Sequence, residues 1–228
     1  MTAPMLRRYL TEPEQLKLLR AARNTHCPLA QRDYWWMRLL IETGARIDEF
    51  ARWSAAQAEQ ALSIGWLVSL PSQRKGKKRG LEYLVTQSVR ECLEQLLKLQ
   101  RDEAAATGAA LLGEEMPLVW GRDGAALSVR SYQARMALWS ERAGLPFRAT
   151  PHWLRHTRGV NIIRRSRAGN PTKVVQQALG HASLASTGIY TGMLREEYEA
   201  ALRNVDTARL PKRVAARLAL GTQQARAS

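Results

Sequence analysis

The pattern of apolar and polar positions predicts a chain built mainly of helices. Thr11 and Glu14 have the spacing of a capping box, ahead of apolar positions that fit one helix face. Residues 31–44, QRDYWWMRLLIETG, fit a more apolar helix that ends at Gly44, a residue suited to the left-handed position just past a helix end. Further helices are predicted to begin at residues that suit a helix cap or a first turn. These residues are Ser88, Ser128, Pro151 and Pro171.

One part of the chain has the pattern of β-strands. The apolar stretches GWLVSL (65–70) and LEYLV (81–85) flank the basic stretch PSQRKGKKRG (71–80) and predict a hairpin with a cationic tip. No internal repeat or long linker interrupts the chain. The fold class is therefore expected to be mainly α with a small antiparallel β-sheet (α+β), as a domain over residues 1–205 and a basic tail over 206–228.

Charge narrows the range of partners. The chain has 228 residues, with 35 Lys and Arg against 20 Asp and Glu, a formal net charge of +15. An excess this large is typical of proteins that bind a polyanion, and nucleic acid is the first candidate. A membrane surface is the rival, but no apolar run approaches the roughly 20 residues of a spanning helix, and no signal-peptide core is present. We expect an intracellular, cytoplasmic protein whose Cys27 and Cys92 are reduced.

Three motifs occur in one order along the chain. They are TGARIDEF (43–50), PHWLRHTRG (151–159) and LGHASLASTGIYTG (179–192). In order and spacing they resemble the catalytic domain of the tyrosine recombinase (phage integrase) family, with its T-G-x-R-x-x-E segment, H-x-x-R helix, and L-G-H followed by a tyrosine. The resemblance covers residues 9–191 and implies the catalytic-domain fold of that family.

The resemblance implies a clamp for a DNA phosphate. A phosphodiester repels nucleophiles, so its cleavage requires neutralisation of its charge. Arginine suits this task because its planar fork binds two phosphate oxygens and stays charged. Arg46 and Arg155 would form the clamp, His181 would donate a further hydrogen bond, and Glu49 would orient the arginines. No metal and no other cofactor is implied.

The remaining chemistry is also assigned by resemblance. Tyr190 would attack the phosphate, form a 3′-phosphotyrosine and release a 5′-hydroxyl. His152 would accept the phenol proton, and Lys75 would protonate the leaving oxygen, with Lys77 as the alternative because this hairpin departs from the family pattern. Predicted DNA-contacting residues are Arg74, Lys77, Lys78, Arg79 and Arg158.

The predicted helix that carries the second motif has further basic residues around His152 and Arg155. His156, Arg158, Arg164 and Arg165 are expected to lie on a solvated helix face. The partner is expected to be double-stranded DNA, bound by a homo-oligomer that is a tetramer on paired sites. Accessory DNA-bending proteins are a further candidate partner, and the protein is expected at the nucleoid, encoded by a bacterium or a phage. The apolar positions Leu194, Tyr198 and Leu202 fit docking on a neighbouring copy and equally packing within one chain.

Two alternative functions are also open. The first is relaxation of supercoils, as by a type IB topoisomerase, and the second is a non-catalytic DNA-binding relative. Family members usually carry an N-terminal DNA-clamp domain, and the family-like sequence begins close to Met1, so the chain resembles single-domain members or a fragment.

Overall fold

The computed structural model describes residues 9–23, 26–74, 80–107, 116–167 and 169–180. All of these residues belong to one unit of the chain. The expected boundary between residues 205 and 206 lies outside the described residues and stays a prediction.

Helices make up most of the described chain, as predicted. Among the described residues, no helix is long and apolar enough to cross a membrane. The elements in chain order are α1 (Glu12–Arg23), α2 (Pro28–Thr43), α3 (Ile47–Phe50), α4 (Ala55–Ile64), β1 (Trp66–Ser69), β2 (Leu81–Leu84), α5 (Gln87–Thr107), α6 (Val129–Arg142), α7 (Pro151–Arg165) and α8 (Pro171–Leu179).

Local chemistry explains most helix ends. Gly44 follows α2 with φ +69°, and its N–H donates to the carbonyl of Leu40, as expected of a glycine C-cap. Ser128 accepts from the N–H of Ser131 and caps α6, as predicted. The predicted cap at Ser88 is wrong: α5 begins at Gln87, and the side chain of Thr86 accepts from the N–H of Val89. Thr86 precedes the helix with a hydroxyl of the same kind, so the sequence pattern was displaced by two positions.

The start of α1 contains half of the predicted capping box. The carboxylate of Glu14 accepts from the backbone N–H of Thr11 at 2.7 Å. The Thr11 hydroxyl donates to the same carboxylate. The helix start is therefore held by the glutamate side of the box.

The predicted hairpin is confirmed. Strands β1 and β2 pair antiparallel, with Trp66 opposite Leu84 and Ser69 opposite Leu81, and form a two-stranded sheet. A short 3-10 turn over Pro71–Gln73 follows β1. Two strands alone are marginal in water, so the hairpin depends on packing against the helices. Leu67 and Tyr83 supply that packing, since both side chains are buried.

The core is organised around α2, which packs against α1, α5 and α7. Trp36 is fully buried and Trp35 is 9% exposed, so the prediction that this pair serves packing and not base stacking is confirmed. The Trp36 ring meets the Tyr132 ring edge to face at 5.0 Å, which ties α2 to α6.

A buried carboxylate reinforces the contact between α2 and α6. Asp33 is inaccessible to solvent, and it accepts from the indole N–H groups of Trp36 at 2.9 Å and Trp139 at 2.8 Å. Its ion pairs are with Arg32 and Arg135. Both carboxylate oxygens therefore have charged and neutral donors, which a buried anion requires.

Candidate functional site

The second motif contacts the backbone of the other two. Arg155 lies on α7 and is 3% exposed. Its Nη1 donates to the carbonyl of Gly44 and its Nη2 to the carbonyl of Leu179, each at 2.6 Å. Gly44 follows the last residue of α2, and Leu179 is the last residue of α8. The guanidinium thus lies at the partly negative C-terminal ends of two helices, which favour a cation.

Gly44 and Gly180 directly follow these two helices and lie close to neighbouring leucine side chains. Gly44 and Gly180 have φ of +69° and +60°, in the left-handed region. A Cβ at Gly44 would lie 2.4 Å from Cδ2 of Leu179, and a Cβ at Gly180 would lie 2.9 Å from Cδ2 of Leu81. The backbone conformation therefore favours glycine at both positions, and a Cβ there would also force the neighbouring leucine side chain to move.

One buried carboxylate joins two further arginines. Glu49, on α3, is 2% exposed, and its Oε1 lies 3.1 Å from Arg46 Nη1 and 3.2 Å from Arg74 Nε. Arg46 is the N-cap residue of α3, and its side chain is 34% exposed. Glu49 therefore holds Arg46 at the edge of the site while leaving part of its guanidinium open to a ligand.

The other oxygen of Glu49 is also occupied. The hydroxyl of Tyr83, on β2, donates to Oε2 at 2.9 Å. Burial and the adjacent Glu49 carboxylate raise the pKa of Tyr83, against the smaller influence of Arg155 and Arg74. The phenol stays neutral and acts as a donor. Together, three arginines and one glutamate leave this cluster with an excess of positive charge, which suits a bound anion.

The two histidines of the second motif differ in exposure. His152 is exposed, and its ring centre lies 4.3 Å from that of His156, edge to face. His156 is 6% exposed, so the expectation that it lies on a solvated face is wrong. It points into the packed side of α7, whereas Arg164 and Arg165 are exposed as expected.

Arg158 has a partner within the protein. Its Nη1 lies 3.4 Å from Oε2 of Glu42, and both side chains are about one quarter exposed. Partial burial lowers the pKa of Arg158, and Glu42 opposes this. The pair lines a cleft that also contains Tyr83 and Val174. The predicted DNA contact of Arg158 stays a prediction.

The structure brings Arg46, Glu49 and Arg155 together, with Arg74 beside them. Arg74, predicted on the exposed hairpin tip, is 7% exposed. No sequence signal indicated its contact with Glu49 or that of Tyr83, because burial of a hairpin base depends on tertiary packing.

Among the described residues, no cluster of His, Cys, Asp and Glu is placed to hold a metal ion. Predicted residues outside the described ranges are Lys75, Lys77, Lys78, Arg79, His181 and Tyr190.

Comparison with known proteins finds a family match over most of the chain. The model of the phage integrase family matches residues 8–197. The tyrosine recombinase XerC of Neisseria meningitidis serogroup B is 34% identical over 164 residues, which cover 72% of this chain and 48% of the relative. The chain thus spans about half the length of the curated relatives it matches.

Solved structures share the fold. A crystal structure of XerA recombinase superposes with a TM-score of 0.65 at 22% identity, covering 88% of this chain and 65% of the other. The XerH site-specific recombinase bound to its palindromic difH substrate, a post-cleavage complex, gives a TM-score of 0.63 at 20% identity, covering 86% and 53%. The overall fold is therefore shared with these recombinases.

Proposed function

Because the chain belongs to the phage integrase family, we propose that it cleaves and rejoins double-stranded DNA at specific sites through a covalent 3′-phosphotyrosine. The observation that carries this proposal is the position of Arg155. Its buried guanidinium bonds to the backbone of both other motifs, at Gly44 and Leu179. These contacts support the proposal that the three motifs, far apart in sequence, contribute to one site.

The arginine cluster would bind the phosphate that is cut. Arg46 is partly open, and Arg155 is fixed by two helix ends, so both can stabilise charge on non-bridging oxygens without reorganisation. The ion pair with Glu49, at 3.1 Å, holds the Arg46 side chain at the site. His181, directly after Gly180, would add a hydrogen bond to the same phosphate.

The covalent step would use Tyr190. Its oxygen attacks phosphorus, the bond to the 5′-oxygen breaks, and the phosphoryl group remains on the tyrosine. His152, exposed on α7, would accept the phenol proton, and Lys75 or Lys77 on the hairpin would protonate the leaving 5′-oxygen. Reversal with a new 5′-hydroxyl rejoins the strand without an external energy source.

The partners follow from this reaction. A XerH relative was solved on its DNA substrate, which supports DNA as the ligand of this chain. Exchange between two duplexes needs four cleaved strands, so we propose a tetramer on paired sites, acting on nucleoid DNA with accessory DNA-bending proteins. Lys77, Lys78, Arg79 and Arg158 would contact the backbone.

A plasmid assay tests recombination against relaxation. A plasmid carrying two target sites should yield recombinant circles, and a plasmid with one site should not. Relaxation of the one-site plasmid without recombinants would replace the proposal with a topoisomerase-like activity. DNA binding with neither product, and no covalent complex, would indicate a non-catalytic DNA-binding relative.

A further inference from the structure

The base of the hairpin is fastened to the arginine cluster by two side chains. Arg74 directly precedes the tip, residues 75–79, and Tyr83 follows it on β2. They contact opposite oxygens of Glu49, Arg74 Nε at 3.2 Å from Oε1 and the Tyr83 hydroxyl at 2.9 Å from Oε2. We name Glu49, Arg74 and Tyr83 the hairpin latch.

Arg74 also closes the base of the tip. Its Nη1 donates to the carbonyl of Gly80 at 3.1 Å, so one guanidinium contacts both the residue after the tip and the carboxylate of α3. Its Nη2 would lie 3.3 Å from a Cβ placed on Gly180. Arg74 therefore lies between the hairpin and the L-G-H motif.

The latch shares an oxygen with the phosphate clamp. Oε1 of Glu49 accepts from Arg46 Nη1 at 3.1 Å as well as from Arg74. Since Glu49, Arg74 and Tyr83 are each less than 10% exposed, water screens these contacts little. Replacement of Arg74 is therefore expected to change the surroundings and the position of the Glu49 carboxylate, which orients Arg46.

Other contacts hold the hairpin independently of the latch. The indole of Trp53 donates to the Ser69 hydroxyl at 2.8 Å. Gln73 donates to the carbonyl of Arg52 at 2.7 Å, and Arg52 donates to that of Ser72 at 3.0 Å. These contacts do not involve Arg74, so we expect the strands to stay attached when Arg74 is replaced and the change to concern the base of the hairpin and Glu49.

We propose that Arg74 is a positioning residue and not a DNA contact. Through Glu49, it couples the hairpin to the phosphate clamp. The proposal rests on the proposed DNA cleavage. Its consequence is that the base of the hairpin and Arg46 are positioned together, because Arg74 and Arg46 contact the same carboxylate oxygen.

The test uses the full chain with Arg74→Met. The matched control is Arg52→Met, which also removes an arginine contact to the hairpin, at the carbonyl of Ser72, but does not touch Glu49. Single-turnover cleavage of a nicked DNA substrate at saturating protein should slow by about 100-fold, the scale expected for misplacement of a catalytic group. The Kd should change by less than about twofold, and the slope of log Kd against log salt should stay at the wild-type value, whereas loss of a phosphate contact lowers it by about 1.

Conservative and double variants separate positioning from unfolding. Arg74→Lys keeps a charge for Glu49 but cannot also reach Gly80 in the same way, so its cleavage rate should lie between those of wild type and Arg74→Met. Tyr83→Phe should slow cleavage, and should slow it less when Arg74 is already Met, because both act on one carboxylate. If Arg74→Met does not fold, the Lys and Phe variants carry the same comparison.

Hydrogen exchange gives a readout that does not need activity. Amides of residues 46–50 and 81–84 should exchange faster in Arg74→Met than in Arg52→Met. If wild type forms no covalent complex but this difference is present, the proposed function fails and the latch remains. A weaker Kd with a lower salt slope and normal cleavage at saturation would make Arg74 a DNA contact. Rates and exchange equal to those of Arg52→Met would overturn the coupling.

Discussion

At the scale of single residues, charge in this site is fixed before a ligand arrives. Arg155 reaches two backbone carbonyls at helix ends, and Arg46 is held by Glu49. Groups fixed in this way stabilise a transition state at little reorganisation cost, because the protein has already ordered them during folding. The same groups contribute less to binding, since many surface cations contact a DNA backbone.

Replacement of Arg155 should therefore affect cleavage more than affinity. Arg155→Ala should slow cleavage by about 10²–10³-fold, as for loss of one preorganised donor. Arg155→Lys should also be slow, because one ammonium group cannot span the carbonyls of Gly44 and Leu179. Single-turnover cleavage and Kd are measured on one DNA, with circular dichroism to check folding. Arg101→Ala, exposed and paired with Glu59, is the control. Equal losses of cleavage and affinity would make Arg155 an ordinary phosphate contact.

The tip lysines allow a chemical rescue test. A 5′-bridging phosphorothiolate leaves as a stable thiolate and needs no general acid. Lys75→Ala should be nearly inactive on normal DNA and largely active on the sulfur substrate, whereas Arg155→Ala should not recover. Selective rescue of Lys77→Ala instead would identify Lys77 as the acid. Without rescue of either variant, the tip would serve only electrostatic binding.

The sequence was sufficient to predict the residues of the motifs, but not the side chains that contact them. Arg46, Glu49 and Arg155 were named from motif spacing, and the structure brings them together. The contacts of Arg74 and Tyr83 with Glu49 were not predicted, since nothing local distinguishes a buried arginine from an exposed one at a basic tip. His156 was misassigned for the same reason: a histidine among arginines has the local pattern of a solvated face.

At the scale of elements, local chemistry determined most boundaries. Gly44 and Ser128 acted as predicted, and the alternating apolar stretches formed β1 and β2. How the elements pack could not be derived from propensity. The contact between α2 and α6 depends on Asp33, whose charged partner Arg135 is 102 positions away in the sequence. An isolated Asp within an apolar helix gives no sign of such a partner.

The buried carboxylate of Asp33 should contribute strongly to the free energy of unfolding. Asp33→Asn removes the anion that faces Arg32 and Arg135 and leaves their charges partly buried. The free energy of unfolding should fall by about 3–5 kcal/mol, the usual cost of breaking a buried ion pair. Urea denaturation measures it. Glu59→Gln, which breaks an exposed pair with Arg101, should cost less than about 1 kcal/mol. A similar small loss for Asp33→Asn would show that packing alone joins α2 to α6.

At the scale of the whole molecule, burial limits stability at high pH. Burial raises the pKa of the Cys92 thiol from 9.0 to about 12. A folded-state pKa above the unfolded value means that the folded chain holds the proton more tightly. The stabilisation is complete below the unfolded pKa and is lost as the pH rises from 9 towards 12.

The Cys92 contribution can be isolated by substitution. Wild-type protein should lose unfolding free energy between about pH 8 and about pH 10.5, and Cys92→Ala should lose less over the same interval. Urea denaturation under reducing conditions at both pH values measures the difference. Tyr83 and Tyr132, whose pKa values are also raised, contribute equally to both proteins. Parallel losses in the two proteins would show that Cys92 titrates alike in the folded and unfolded states.

In the proposed reaction, Tyr190 is the nucleophile of a DNA-cleaving site to which three distant motifs contribute. The most direct test of this reaction is to incubate the full chain with a nicked DNA substrate that traps the cleaved state, digest the product with trypsin, and identify the linked peptide by mass spectrometry. A 3′-phosphodeoxynucleotide joined to Tyr190, absent in Tyr190→Phe, is the expected result. A link to another residue, a link through a 5′-phosphate, or an adduct that persists in Tyr190→Phe would contradict the account.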